Sequence, residues 1–192
     1  MQNTLDNSKD SSPGGDHIPY FLLNALLLQN KMELLNICNQ SFHLGEVPLK
    51  WKVGILIPIL KPGKDPGDVS SYRPITLLSC LGKVMEQIVK NRLEYIVETE
   101  KMLKPEQCGF RKGQSTSDIL VRLEHRIRQT LCNGHISLVV YLDLKSAFDK
   151  IWGKGLIYKL VKSGIMGNIV KWLDNYFTDR KIQVRLDGYF FS

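Results

Sequence analysis

Apolar and polar positions divide the chain into helices and short strands after a polar start. Residues 1–16 hold a single leucine among Ser, Asp, Asn and Gly, so they cannot offset the entropy of ordering, and we expect a mobile lead-in. From Ile18 onward, apolar residues recur at helical spacing until Gly45 and Pro48, which predicts two packed helices. Residues 79–98 carry the clearest amphipathic stripe, which predicts a core helix.

Two short apolar runs predict strands joined by a loop. Residues 53–60 read V-G-I-L-I-P-I-L, and Pro58 indicates an edge position or a bulge because proline cannot donate to a ladder. Two Pro-Gly turn signals then precede a second strand at 72–78. Lysines flank the first run, and the backbone near a glycine can approach a phosphate closely. The two strands and their loop therefore predict a phosphate-binding site. The plain alternative is that the lysines are only solvated.

The second half of the chain predicts one longer helix, two short helices and a terminal hairpin. The pattern Ser115-x-x-Asp118 is typical of a capping box. Short helical patterns at 156–162 and 169–177 precede a β-hairpin signal at 182–191. Four apolar positions of the longer helix are expected to face inward: Leu120, Leu123, Ile127 and Leu131.

Residues 137–152, S-L-V-V-Y-L-D-L-K-S-A-F-D-K-I-W, place a carboxylate after an unbroken apolar run. Five consecutive apolar residues, 138–142, predict a strand buried on both faces. Asp143 would then lie half desolvated at the end of that strand, where it could hold a metal ion. The local pattern alone favours a solvated Asp that opens a turn.

Charge is distributed in blocks. The 192 residues carry a formal net charge of +7, with seven Lys/Arg against three Asp/Glu in 101–134 and eight against two in 150–185. These basic blocks lie on either side of Asp143, as a cleft for a polyanion would require. Four cysteines without a C-x-x-C pair indicate reduced thiols and an intracellular compartment, nuclear or cytoplasmic. Neither a membrane span nor a secretion signal is predicted.

Taken in order, five motifs resemble the reverse transcriptase of non-LTR (LINE-like, jockey-type) retrotransposons. They are P-G-G-D-H-I-P, W-K-V-G-I-L-I-P-I-L-K-P-G-K-D, S-Y-R-P-I-T-L-L, Q-C-G-F-R-K-G-Q-S-T and Y-L-D-L-K-S-A-F-D-K-I-W, covering roughly residues 14–192. The resemblance implies an α+β, right-hand polymerase fold with helices on a small, mostly antiparallel sheet. After the disordered lead-in expected at 1–16, it implies a fingers-like region at 17–134 and a partial palm at 135–192.

The resemblance also implies roles at the palm motif. Asp143 matches the first catalytic aspartate, which holds Mg²⁺, with Mn²⁺ as an alternative, and the backbone carbonyl of Leu144 is a further metal ligand. Phe148 matches the aromatic that excludes a ribose 2′-hydroxyl, although plain core packing is the alternative. Asp149 matches a residue that braces the turn.

Other motifs imply contacts with the substrates. Lys61 and Arg73 match cations that clamp the incoming deoxynucleoside triphosphate. Contacts with the template strand are implied for three residues of one loop: Phe110, Arg111 and Gly113. At Gln114 many relatives carry a basic residue.

The implied activity is RNA-directed DNA synthesis on an RNA template and a DNA primer, by two-metal nucleotidyl transfer. The sequence contains neither the P-Q-G loop nor the A-D-D hairpin that follow in the family, so we expect a fragment that is truncated after the first palm motif and is inactive alone. Two alternatives are a non-catalytic basic RNA-binding module and a non-functional remnant that folds poorly. No oligomeric state is indicated.

Overall fold

The structure is a computed structural model that describes residues 4–5, 11–144, 147, 150–186 and 189–191. Its contacts define two compact units. The first unit combines Met1–Glu94 with Trp152–Ser192, and the second unit is Tyr95–Ile151. Among the described residues, no helix combines the length and the apolarity needed to cross a bilayer.

The described residues form six helices of at least six residues and four strands, with 3-10 turns at Leu49–Trp51 and Val69–Ser71. In chain order they are α1 (Tyr20–Ala25), α2 (Leu28–Leu44), β1 (Val53–Leu60), β2 (Tyr72–Leu77), α3 (Cys80–Thr99), α4 (Thr116–Cys132), α5 (Gly153–Lys162), α6 (Asn168–Phe177), β3 (Lys181–Leu186) and β4 (Tyr189–Phe191). Every helix and strand predicted up to residue 132 is present, as are the last two helices and the terminal hairpin. The D-G turn of that hairpin lies outside the described residues.

The four strands form one sheet in the order β2-β1-β3-β4. β1 is antiparallel to β2 and parallel to β3, and β3 is antiparallel to β4, so the sheet is mostly antiparallel. The edge position predicted for β1 from Pro58 is wrong, because β1 lies between two strands. Its pairing with β3 covers only residues 53–56, however, so Pro58 faces a single partner strand. There it lies opposite Pro74, and neither residue has an N–H to donate.

The core of the first unit forms around the start of α3. Cys80 and Val84 are buried together with Tyr20 and Leu23 of α1. Leu5 is buried in the same cluster, which differs from the mobile lead-in expected for residues 1–16. The side chain of Leu5 therefore adds apolar area removed from water to this core.

Other described residues of the lead-in also contact the start of α3. The ammonium of Lys83 donates to Ser11 Oγ at 3.1 Å. The backbone of Gly14 lies so close to the chain at Ser79 that a Cβ atom would come within 2.5 Å of its nitrogen. Glycine at this position is therefore a requirement of packing.

The end of α2 packs against α6. Gly45 ends α2 in the left-handed conformation, with φ of +71°. The buried indole of Trp172 donates to Ser41 Oγ at 3.0 Å, and the Ser41 hydroxyl in turn donates to the carbonyl of Glu46. One turn later, Asn175 Oδ1 accepts the backbone N–H of Val47 at 2.8 Å. Side chains of α6 thus satisfy the backbone where the chain leaves α2.

In the second unit, α4 begins with the predicted capping box at Ser115 and Asp118. The expectation that its apolar stripe faces inward is wrong, since no residue of α4 is buried, and Leu120 and Leu131 are exposed. Among the described residues of this unit, α4 is accompanied only by the end of α3 and by irregular segments. A stripe at helical spacing cannot be buried where no second element lies against it.

The strand predicted at 138–142 is also wrong. The structure assigns no regular conformation to residues 135–144, and Leu138 and Leu142 are 89% and 92% exposed. A strand requires a neighbouring backbone edge, and none of the described strands pairs with this run. Hydrophobicity alone does not supply that edge.

Candidate nucleotide and nucleic-acid interface

The two predicted triphosphate contacts lie together on the β1–β2 hairpin. Ile59 pairs with Arg73 in the ladder, which ends at Leu60 and Tyr72. The backbone N–H of Lys61 donates to the carbonyl of Ser71 at 2.9 Å, one residue beyond that last pair. Opposed residues share a face, and every second residue returns to that face. Lys61 and Arg73 therefore project from the same face, one diagonal step apart.

The loop that joins the strands is fixed by its own side chains. Lys61 Nζ donates to the carbonyl of Ser70 at 2.7 Å, and Tyr72 donates its hydroxyl to the carbonyl of Pro66 at 3.0 Å. Asp68 accepts hydrogen bonds from the hydroxyl and the N–H of Ser70, which hold the pKa of its carboxyl below the ordinary value. The loop thus holds the Lys61 ammonium beside the strand end.

Asp143 lies in the second unit, within the irregular and exposed segment. Its Oδ1 accepts the backbone N–H of Leu144 at 2.9 Å, and both residues are exposed. The half-desolvated position expected for Asp143 at the end of a buried strand is therefore wrong. Phe148 and Asp149 lie outside the described residues.

The described residues do not complete a metal site around Asp143. None of them form a group of three or more His, Cys, Asp or Glu side chains able to hold an ion. Asp143 offers one carboxylate and Leu144 one backbone carbonyl, whereas a hard divalent cation takes six or more oxygen ligands. These two residues fit part of such a site only.

Arg111 is held by an acidic partner that the motif did not indicate. Its Nε and Nη2 donate to the two carboxylate oxygens of Glu98, at 2.8 and 2.6 Å, and its Nη1 donates to the carbonyls of Lys104 and Gln107. These hydrogen bonds hold the pKa of Glu98 below its ordinary value and raise the pKa of Arg111. In this structure the guanidinium braces its own loop.

Two further residues of that loop adopt left-handed backbone conformations. Gly113 has φ of +75° with open space where a Cβ would lie, and Phe110 has φ of +60°. Glycine adopts this conformation at no steric cost, but for a bulky aromatic it is strained. Strained backbone conformations cluster at functional sites, and the side chain of Phe110 is 90% exposed.

Comparison with known proteins identifies the family. Residues 59–191 match the family described as reverse transcriptase (RNA-dependent DNA polymerase), which is more than half of the chain. The chain belongs to this family, and its mixture of helices with a small mixed sheet is compatible with the α+β class of the resemblance.

The relatives are polymerases of non-LTR retrotransposons, which confirms the resemblance. The chain is 36% identical to the probable RNA-directed DNA polymerase from transposon BS of Drosophila melanogaster, over 91% of this chain and 19% of that protein. It is 33% identical to the RNA-directed DNA polymerase from mobile element jockey of the same species, over 93% and 19%. A probable RNA-directed DNA polymerase from transposon X-element is 33% identical, over 93% and 20%. The chain thus spans about a fifth of the length of these curated relatives.

Proposed function

We propose that this chain supplies nucleotide-binding and template-binding parts of an RNA-directed DNA polymerase that copies an RNA template from a DNA primer. The placement of Lys61 and Arg73 on one face of the β1–β2 hairpin, in a chain of this family, carries the proposal. A guanidinium can bind two phosphate oxygens at once, while the ammonium adds a point charge beside it. The two together suit the triphosphate of a deoxynucleotide.

Mg²⁺ or Mn²⁺ is the cation proposed for the intact enzyme, with Asp143 and the carbonyl of Leu144 among its ligands. Such an ion supplies charge neutralisation at the triphosphate in this class of reaction. Because the described residues form no group of three or more ligands around Asp143, we propose that the isolated chain does not extend a primer. The same proposal includes the division into fingers and a partial palm and an intracellular, reducing location. It also includes Phe148 as the aromatic residue that excludes a ribose 2′-hydroxyl.

Binding of a fluorescent deoxyadenosine triphosphate to the purified chain tests the nucleotide site. Arg73→Gln should weaken binding about tenfold, the effect of losing a forked, charge-assisted contact. Arg128→Gln is the matched control, because it removes one exposed arginine of α4. Equal affinity of the wild-type chain and Arg73→Gln would overturn the assignment.

Primer extension tests the catalytic part of the proposal. The purified chain, with a primed RNA template, deoxynucleotides and Mg²⁺ or Mn²⁺, should give no extension above background. Extension that is abolished by Asp143→Asn would show that this chain completes an active centre by itself, contrary to the proposal.

A non-catalytic RNA-binding module is the second candidate, favoured by the exposed position of Asp143 outside any described group of three or more metal-ligating side chains. In that case RNA affinity should fall steeply with salt and survive Asp143→Asn, and the fluorescent triphosphate should not bind. A flat salt response would eliminate this candidate.

A further inference from the structure

One side of α5 is fixed against α6. A Cβ on Gly153 would lie 3.1 Å from Phe177 Cβ, so the two helices approach closely where α5 begins. Lys154 Nζ donates a hydrogen bond to Asp174 Oδ1 at 2.7 Å. Ile165, which follows the end of α5, is buried. The helix is thus held at both ends, and its opposite face has a defined orientation.

The opposite face of α5 carries an aromatic ring and two cations. At 3.6 residues per turn, Gly155, Tyr158, Lys159 and Lys162 fall within about 100° of one another, on the side away from Gly153. Tyr158 is 65% exposed, and both lysines are exposed. The sequence indicates a lysine-rich helix here. The close approach of Gly153 to Phe177 then shows which side of that helix faces away from α6.

A second aromatic ring joins this face from the residue before the helix. A Cβ on Gly155 would lie 2.3 Å from Cε3 of Trp152 and 2.9 Å from Cδ2, so the indole lies directly on the Gly155 backbone. Trp152 is nevertheless 74% exposed. Glycine at 155 leaves the space in which the indole rests, and most of the ring remains open to a ligand.

The charges of this face indicate what would cover it. α5 contains three lysines and no acidic residue. Lys154 is neutralised by Asp174, whereas no described carboxylate forms an ion pair with Lys159 or Lys162. An apolar protein segment would leave these two ammonium groups uncompensated, whereas a polyanion with stacking faces suits both cations and rings.

We propose that Trp152, Tyr158, Lys159 and Lys162 form a binding surface for single-stranded nucleic acid. Bases stack on the two rings, and backbone phosphates contact the two ammonium groups. None of its four residues belongs to the proposed nucleotide and metal sites at Lys61, Arg73 and Asp143, so the surface goes beyond the proposed function. It requires no nucleotidyl transfer, and it accepts RNA and DNA alike because stacking and phosphate contacts are common to both.

Intrinsic tryptophan fluorescence tests this directly. The other two tryptophans, Trp51 and Trp172, are 8% and 1% exposed, so a ligand that stacks on the surface should quench Trp152 selectively. Titration of the full chain with oligouridylate and with oligothymidylate should give saturable quenching. A duplex of equal length should quench less, because its bases are already stacked on each other.

Variants separate stacking from charge. Tyr158→Leu should weaken binding about tenfold while keeping the Trp152 signal. Lys159→Gln/Lys162→Gln should lower the slope of log K against log salt by about 1.4, the value for two phosphates on a single strand. Lys31→Gln/Lys90→Gln, on α2 and α3, is the control with the same change in net charge. Gly155→Ala should displace the indole and reduce quenching, with circular dichroism to check that the helix is retained.

The proposal would be overturned by absence of quenching by either single strand, by equal quenching by the duplex, or by an equal loss of affinity in the two double-lysine variants. Arg73→Gln should leave the quenching unchanged. If that variant abolished quenching, the signal would belong to the nucleotide site and the surface on α5 would be rejected.

Discussion

The hydroxyl of Tyr176 donates to Oε1 of Glu86 at 3.0 Å and thereby joins α6 to α3 within the first unit. Burial raises the pKa of Glu86 above its ordinary value, although the hydrogen bond from Tyr176 and the charges of Arg180 and Lys83 act in the opposite direction. Burial also raises the pKa of Tyr176 to about 12. The phenol therefore remains a donor over the whole ordinary pH range, while ionisation of the half-buried Glu86 carboxyl is disfavoured.

The raised pKa of Glu86 predicts that Glu86→Gln stabilises the chain at pH 7. A carboxyl whose folded pKa exceeds its unfolded pKa costs stability when ionised, and this cost disappears as the pH falls through the folded pKa. Glutamine keeps an acceptor for Tyr176, so Tm should rise by up to about 4 °C, the shift that 1 kcal/mol produces at this size. The gain should shrink toward pH 4.5.

Thermal denaturation followed by circular dichroism at pH 7 and pH 5 provides the measurement. Glu33→Gln, an exposed carboxyl on α2, is the matched control and should leave Tm unchanged at both values. A lower Tm for Glu86→Gln at pH 7 would mean that the charges of Arg180 and Lys83 outweigh the cost of burial.

The indole of Trp172 depends on a single described acceptor, Ser41 Oγ. Ser41→Ala leaves that N–H buried without a partner and also removes the bond to the Glu46 carbonyl. Such a loss costs about 1–3 kcal/mol. Urea denaturation should show this decrease in the free energy of unfolding, whereas Ser163→Ala, at an exposed serine, should show less than about 0.5 kcal/mol. Equal stability of the two variants would contradict the role of the bond.

Periodicity predicted the elements of the first unit well, because local spacing and partner elements agree there. β1 has the bounds that the apolar run suggested, and α3 buries Val84, Met85 and Val89 as its stripe indicated. The same reasoning failed at Leu138 and Leu142. A pattern shows which residues would be buried against a partner, but it does not show whether the chain provides that partner.

The site was predictable to a similar extent. Lys61 and Arg73 could be placed together because Lys61 follows the first of two consecutive strands and Arg73 lies near the start of the second, and antiparallel pairing of the two strands fixes their register. The partner of Arg111 could not be predicted, since Glu98 lies 13 residues earlier and the contact depends on an irregular loop. The contact between the Trp152 indole and the Gly155 backbone likewise depends on side-chain packing, which the periodicity of the sequence does not predict.

Gly45 and Gly164 provide a matched pair for measuring the cost of one close contact. Both are left-handed, with φ of +71° and +84°. Alanine at either position is strained in that conformation, which lowers the free energy of unfolding by about 1–2 kcal/mol. At Gly45 the new Cβ would also lie 2.7 Å from Lys171 Cβ, whereas nothing lies within 4 Å at Gly164. Gly45→Ala should therefore lose more stability in urea denaturation, and equal losses would show that α2 and α6 adjust freely.

The forked pair between Arg111 and Glu98 predicts that removing the acid increases RNA binding. If the guanidinium contacts a template phosphate, it must first leave Glu98, so Glu98→Gln should raise affinity a few-fold and Arg111→Gln should lower it. Because the pKa of Glu98 is held below its ordinary value, moderate acidification should not release the pair, and the substitution is the appropriate test. Fluorescence anisotropy with a labelled single-stranded RNA is the measurement.

Glu124→Gln is the matched control for this prediction, because it frees Arg128 from an exposed pair on α4 and makes the same change in net charge. It should raise affinity less than Glu98→Gln. The double variant Glu98→Gln/Arg111→Gln should lose the gain, since no guanidinium remains at that position. Equal gains from Glu98→Gln and Glu124→Gln would assign the effect to net charge, and Arg111 would then be a brace of its own loop and no contact to the template.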